Sequence, residues 1–310
     1  MKYLFFDLEC ADGNYEICEF GYVLSTPSFE VLEQRNILMD PEGEFRLSGR
    51  YGQSDLKLTY SEEEYRANPP FPERYEEIRS LLTQDDVTVF GYGVNNDIVF
   101  LAKDCRSYEL DFFSFRVRDI QRYLGLTAKF NAKRVSLERA YEILCPDGEP
   151  FHEHRAMDDA YATMKVLEAV MKETGKSVEE LAALVPSSNL ESLEYMEERR
   201  HRNDEIHQSQ LRQARMDQNR ARWKKLVEET PKIKVGKTIY CSNDVFASED
   251  GFALLLSVAL RAGFVPNTDF FNTDLYVVMD EEEKRSLAAI VKGKTKSQII
   301  TLEELTQDIL

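Results

Sequence analysis

Three groups of residues in this chain have types and spacings that could do chemistry. The first is Asp7 and Glu9, in the segment FDLE. Alternate residues of a strand leave the same sheet face, so both carboxylates share one face while Leu8 points to the other. Adjacent carboxylates at the end of a buried strand repel unless a cation lies between them, and hard oxygen ligands of this kind suit Mg2+ or Mn2+. The second is Asp97 in GYGVNNDIVFL, near the start of a helix that follows a strand. The third is HEHRAMDDAYATMKVLEAVM, a helix start in which His154 precedes Asp159, with Ala160, Met164, Leu167 and Val170 along the buried face. Taken singly, each has a plain structural explanation: a solvated acidic edge strand, a helix cap at Asn95, Asn96 or Asp97, a capping or surface histidine.

The elements that must position these groups follow from the apolar pattern. Tyr3–Leu8, Ile17–Leu24 and Val31–Met39 are apolar runs separated by the turn-prone ADGN and STPS, and predict an antiparallel meander. Residues 41–72, rich in Gly, Pro and charge, read as an irregular excursion. Helices are expected at Glu73–Leu82, about 95–104, 114–124, 135–144 and 155–173, with short strands at Val87–Tyr92 and Leu110–Phe113. Strands first, then alternation of helix and strand, imply a mixed sheet flanked by helices.

Taken together, the order Asp-x-Glu, then Asp, then His-x-Ala-x-x-Asp resembles the DEDD exonuclease superfamily. The histidine spacing resembles its DEDDh branch, which includes the proofreading subunit of bacterial DNA polymerase III. The resemblance covers about residues 1–173 and includes ICEFGYV, the RVRDI segment around Asp119 and VSLERA around Leu137. HRAMDDA is close to the family's third motif. The second motif departs from the usual His-Asn-x-x-Phe-Asp: here Tyr92, Gly93, Val94, Asn95 and Asn96 lead to Asp97, as near to a Trp-Gly variant of RNA-trimming members. The choice between DNA and RNA therefore stays open. The resemblance implies a ribonuclease H-like fold in which Asp7, Glu9, Asp97 and Asp159 hold two Mg2+ or Mn2+ ions. It also implies that His154 is the general base and that Leu8, Glu9 and His154 meet the 3′-terminal nucleotide of a single strand. On the same reading Asp119 is structural, Glu16 and Glu19 are surface or loop carboxylates, and Asp158 is set aside in favour of Asp159.

The remainder reads as two further regions, giving an expected division into 1–175, 176–233 and 234–310. Residues 176–230 show no strand signal and are dominated by good helix formers. Their apolar positions are sparse and Pro231 ends the run. Between Arg199 and Lys225 stand nine Lys or Arg and three Asp or Glu. Arg199, Arg200, Arg212, Arg215, Arg220 and Arg222 are candidate nucleic-acid contacts, against the plainer reading of a solvated connecting helix. From 234 on, strands at Lys237–Cys241, Leu275–Met279 and Ile299–Thr301 alternate with helices at Phe252–Ala262, Glu281–Val291 and Leu302–Ile309, predicting a small parallel α/β/α unit. GKTIYCS, the helix running into AGF, TDLYVVMD and IITLEEL resemble a BRCT domain, without the tryptophan common in that family's last helix. The resemblance implies a protein partner, with Ser242 and Lys284 near the phosphate-binding positions of phosphopeptide-reading members.

Composition bounds the function. The net charge of −17 argues against a protein that coats duplex nucleic acid. It argues less against an enzyme gripping a strand end, because metal ions on carboxylates make a phosphate site of an acidic pocket. No stretch approaches the roughly 18 consecutive apolar residues of a membrane span, and MKYLFFDLEC lacks the pattern of a signal peptide. Five scattered cysteines, with no CxxC pair, fit the reducing cytoplasm rather than a disulfide framework or a zinc site. The expectation is a metal-dependent 3′–5′ exonuclease acting on DNA with a recruiting BRCT-like module. The alternatives are an RNA exonuclease and a catalytically inactive scaffold working through that module.

Overall fold

A computed structural model describes residues 1–11, 16–43, 45, 58–130, 135–148, 155–230, 236–291 and 294–307. The chain divides into two compact units, Met1–Arg200 and His201–Leu310.

The first unit is built on a six-stranded mixed sheet of order β3-β2-β1-β4-β5-β6. Its strands are β1 (Lys2–Cys10), β2 (Ile17–Ser25), β3 (Val31–Leu38), β4 (Val87–Gly91), β5 (Arg116–Asp119) and β6 (Asn189–Glu191). β1, β2 and β3 form the expected antiparallel meander, β4 and β5 continue parallel to β1, and β6 closes the far edge antiparallel. The helices are α1 (Glu62–Arg66), α2 (Phe71–Leu82), α3 (Asn95–Ser107), α4 (Leu137–Leu144), α5 (Ala156–Thr174), α6 (Val178–Leu184) and the start of α7 (Ser192–Glu229). The mixed sheet flanked by helices expected from the sequence is thus present.

The pleat of β1 sorts its residues onto two cores. Leu4, Phe6 and Leu8 join one with Phe20 of β2, Ile78 of α2 and Ile98 and Leu101 of α3. Tyr3 and Phe5 join the other with Phe90 of β4 and Val166, Leu167 and Val170 of α5. Asp7 and Glu9 continue the Tyr3–Phe5 face by the same alternation, so the strand turns from apolar to acidic on the side that α5 covers.

Three details depart from the sequence reading. The strand expected at Leu110–Phe113 lies at Arg116–Asp119, and residues 120–126 form a 3-10 helix. The inward-facing series Phe113, Phe115, Val117 and Asp119 is buried while Ser114 and Arg116 are exposed, a period of two that the charged RVRD obscures. β6 stands where no strand was expected, because its three residues need only one neighbour, Arg116–Arg118, to pair with. Within the supposedly irregular 41–72, α1 is set by a capping box between Ser61 and Glu64.

The second unit carries a four-stranded parallel sheet of order β10-β9-β7-β8, made of β7 (Thr238–Cys241), β8 (Val265–Pro266), β9 (Leu275–Val278) and β10 (Gln298–Thr301). Its helices are α8 (Asn243–Ala247), α9 (Glu249–Arg261), α10 (Glu281–Val291) and α11 (Leu302–Gln307). Ser242 and Ser248 cap α8 and α9, so α9 starts before the expected Phe252 and α8 is a short helix beyond the sequence reading. The end of α7 completes this core: Met216 and Trp223 are buried with Phe246 and Phe252. The Trp223 indole N–H donates to Asn267 O at 2.7 Å. Among the described residues, no helix is long and apolar enough to cross a membrane.

Candidate metal centre

Asp7 lies opposite Gly21 in the β1–β2 register, and Glu9 lies opposite Glu19. At Gly21 the backbone of α5 comes down onto the sheet: a Cβ there would overlap the carbonyl carbon of Ala156 and the amide nitrogen of Met157. The absence of a side chain lets the first turn of α5 rest directly on β2, and one turn in stands Asp159. Asp7, Glu9 and Asp159 consequently meet, with one ligand atom from each lying within 4.8 Å of the others. Asp158, the adjacent acid, instead pairs with Arg155 at 3.6 Å.

Asp97 reaches the same place from the other side. It sits in the first turn of α3, whose N-cap residue, Val94, makes no side-chain cap bond. The preceding turn needs Gly93, with φ at +68°, and is pinned by Asp119, whose Oδ1 accepts the Gly93 N–H at 2.8 Å. Asp119 also accepts from Arg122 Nε at 3.0 Å, which bears out its structural reading. Asp97 lies outside the three-carboxylate group but lines the same cavity of about 320 Å³, with Asp7, Leu8, Glu9, Phe100 and Asp159.

The electrostatics of this cavity are one-sided. Burial pushes the Asp7 carboxyl well above the usual carboxylate range, and Asp97, Asp159, Glu9 and Glu19 add to the rise. Burial likewise lifts Asp97 from 3.8 to about 7, with Glu9 and Asp119 contributing. Acids held together at this cost are what a hard divalent cation neutralises, and the donor set is all oxygen. The residues present therefore fit Mg2+ or Mn2+ as ligands, with Asp7, Glu9 and Asp159 as the tight group and Asp97 in the adjoining wall.

Of the other expected site residues, His154 lies outside the described residues; in sequence it immediately precedes Arg155, the N-cap residue of α5. Leu8 is buried in the core and also contributes to the cavity wall. Phe100 and Tyr92 in that wall escaped the sequence reading. Phe100 had a signal, since it stands three residues after Asp97 and so on the same helix face. Glu19 corrects an expectation: instead of a surface carboxylate it is fully buried, because its two oxygens accept bonds from Tyr65 Oη at 2.9 Å and the Ala156 N–H at 2.8 Å.

Within the second unit, Ser242 is buried, caps α8 and donates to Glu283 Oε2 at 3.0 Å. Lys284 pairs with Glu304 at 2.5 Å and with Glu281 at 3.4 Å. Both are engaged with carboxylates of the same unit. Three of the six arginines work locally: Arg212 pairs with Asp244, Arg220 donates to Asn243 Oδ1 at 2.6 Å, and Arg222 lies over the Phe252 ring. Arg199, Arg200 and Arg215 are exposed.

No protein family and no curated protein matches the sequence. Among solved structures, the chain is similar to the nuclease domain of 3'hExo, a DEDDh family member, bound to rAMP, with a TM-score of 0.44 at 21% identity over 56% of this chain and 92% of that one. It is similar to Exonuclease X in complex with 5′ overhanging duplex DNA, with a TM-score of 0.42 at 17% identity over 59% and 97%. A third is E. coli Exonuclease I in complex with a dA16 oligonucleotide, with a TM-score of 0.43 at 16% identity over 58% of this chain. There the chain spans only 42% of the other protein's length. Likeness at this level leaves the chemistry of the chain to be argued from its own residues.

Proposed function

We propose that the chain is a metal-dependent 3′–5′ exonuclease that hydrolyses the terminal phosphodiester of a single nucleic-acid strand, with DNA as the first substrate to test. The observation that carries this reading is the meeting of Asp7, Glu9 and Asp159 within 4.8 Å in a cavity that Asp97 also lines, in residues whose sequence pattern resembles the DEDDh motifs. A pair of divalent ions bound there would lower the pKa of an attacking water and neutralise the charge that builds on the leaving 3′ oxygen. The residues of the chain supply the rest. Asp7, Glu9 and Asp159 would hold the metal group from β1 and α5, and Asp97 would complete it from α3. His154 takes the proton of the attacking water, a task suited to an imidazole at neutral pH. The Phe100 ring lines the wall of the same cavity.

The second unit is read as a BRCT-like recruitment module for a protein partner, a reading supported by the GKTIYCS and TDLYVVMD segments and by the small parallel sheet they belong to. On this reading it governs where the chemistry is delivered.

The test is direct. Purified protein with Mg2+ or Mn2+ should shorten 5′-labelled single-stranded DNA stepwise from its 3′ end, with single-stranded RNA run in parallel to fix the sugar preference. Asp7→Ala and His154→Ala should abolish the ladder. Failure on both substrates with both metals overturns the enzyme reading, and digestion that survives Asp7→Ala overturns the site assignment.

A further inference from the structure

The start of α5 is capped from the sheet and not by the side chain of its N-cap residue. Arg155 at the N-cap makes no side-chain cap bond, yet the first amides of a helix need acceptors. Ala156 N–H donates to Glu19 Oε1 of β2 at 2.8 Å, and Met157 N–H donates to Asn36 Oδ1 of β3 at 2.9 Å. Both acceptors are held in turn by the segment around α1. Tyr65 Oη donates to Glu19 Oε2 at 2.9 Å, and Asn36 Nδ2 donates to Tyr60 Oη at 3.2 Å. Between the two acceptors, Gly21 sets how closely the helix approaches. A fully buried carboxyl is costly unless it is well hydrogen-bonded, and Glu19 directs one oxygen at the backbone of the helix that carries Asp159.

We propose that Glu19 is a positioning residue for Asp159. By holding the Ala156 amide it fixes the height and rotation of the first turn of α5 over β1. That in turn fixes where the Asp159 carboxylate stands relative to Asp7 and Glu9. Asn36 does the same from β3 with a weaker, neutral acceptor. The inference rests on the reading of these carboxylates as a metal site. What it adds is that the site's geometry is set by β2 and β3, elements that bear no ligand in the described group.

Glu19 also stands opposite Glu9, so a purely electrostatic role is the rival, and the two roles predict different outcomes. The measurement is Mn2+ binding to the full chain by calorimetry, alongside hydrogen exchange at residues 156–160. Glu19→Ala removes the acceptor and should weaken Mn2+ binding by about 10-fold, the scale of losing an outer support of a metal ligand, with faster exchange at Ala156. Glu19→Gln keeps a carbonyl acceptor but loses the charge, and should restore most of the affinity and the protection. Should Glu19→Ala not fold, Asn36→Ala removes the second cap alone, and a smaller loss in the same direction is expected. Unaltered affinity in folded Glu19→Ala or in Asn36→Ala overturns the inference, as does a Glu19→Gln protein that behaves like Glu19→Ala. Absence of Mn2+ binding by the parent chain overturns the metal reading and this inference with it; parent binding with unaffected variants overturns this inference alone.

Discussion

In the first unit Asp7 is surrounded by Asp97, Asp159, Glu9 and Glu19, and every one of them makes its ionisation harder. In the second unit the acids are answered. Glu304 receives Lys284, Asp244 receives Arg212, and Glu283 accepts both the Ser242 hydroxyl and the Met279 N–H, the latter at 2.7 Å. Where this chain uses a carboxylate to hold structure, it supplies a donor for it. Where it gathers carboxylates against one another on a packed sheet face, a cation from solution is the counter-charge we propose.

The difference can be broken most sharply at Asp7. Asp7→Ala should reduce Mn2+-dependent strand cleavage by more than the roughly 100-fold that loss of an outer-shell residue costs. Asp7→Asn, which removes a repelling charge, should at the same time raise the melting temperature of the metal-free protein by roughly 2–4 °C. A metal-free Asp7→Asn protein less stable than its parent would contradict the picture of uncompensated repulsion.

Next in size is Gly21→Ala. The added methyl meets the Ala156–Met157 peptide of the helix and not a side chain that can swing away, so denaturant unfolding should show a loss of about 3 kcal/mol or more, at the upper end for overpacking. A loss near zero would mean that α5 does not seat on β2 as described.

The pH dependence follows from the raised groups. Asp97 at about 7 and Glu19 at about 7 keep protons in the folded chain that the unfolded chain releases near the ordinary 3.8 and 4.5. The folded state therefore holds more protons across this window, and stability falls as pH rises from about 4 to about 7. Thermal melts without metal should show that fall, and saturating Mg2+ should flatten it at the upper end. Rising metal-free stability through the same window would count against the assignment. The smallest effect is expected in the second unit. Lys284→Met should change stability by about 0.5 kcal/mol or less, since the ion pair it breaks is partly exposed, and should leave strand cleavage unaffected.

Much of this site could be read from residue order alone. Asp7 and Glu9 announce themselves by alternation after an apolar run, and Asp159 by its place on a helix whose apolar residues mark the buried face. The supports were less legible. Glu19 looks like any acid on a strand until β3, α1 and α5 are in place, because its burial is created by Tyr65 and Ala156, far away in sequence. β5 was misplaced because RVRD alternates charge with apolar residues too briefly to outweigh the aromatic run before it. The buried face of α7 at Met216 and Trp223 is not legible in the sequence because the long middle of that helix has no such face, and only its two end portions meet a core.

That last feature has a practical consequence. From Glu197 to Arg215 every residue of α7 is exposed, and the stretch is held by surface bonds such as Gln213 Nε2 to Asp217 Oδ1 at 3.0 Å and the Arg212–Asp244 pair. A helix without packing opens turn by turn at a fraction of the global unfolding free energy. Its amides should exchange early, and trypsin should enter at Arg199, Arg200 and Arg202 while the turn bearing Trp223 stays protected. Cleavage there is expected to give two fragments, each keeping one of the two cores, as mass spectrometry of the digest would show.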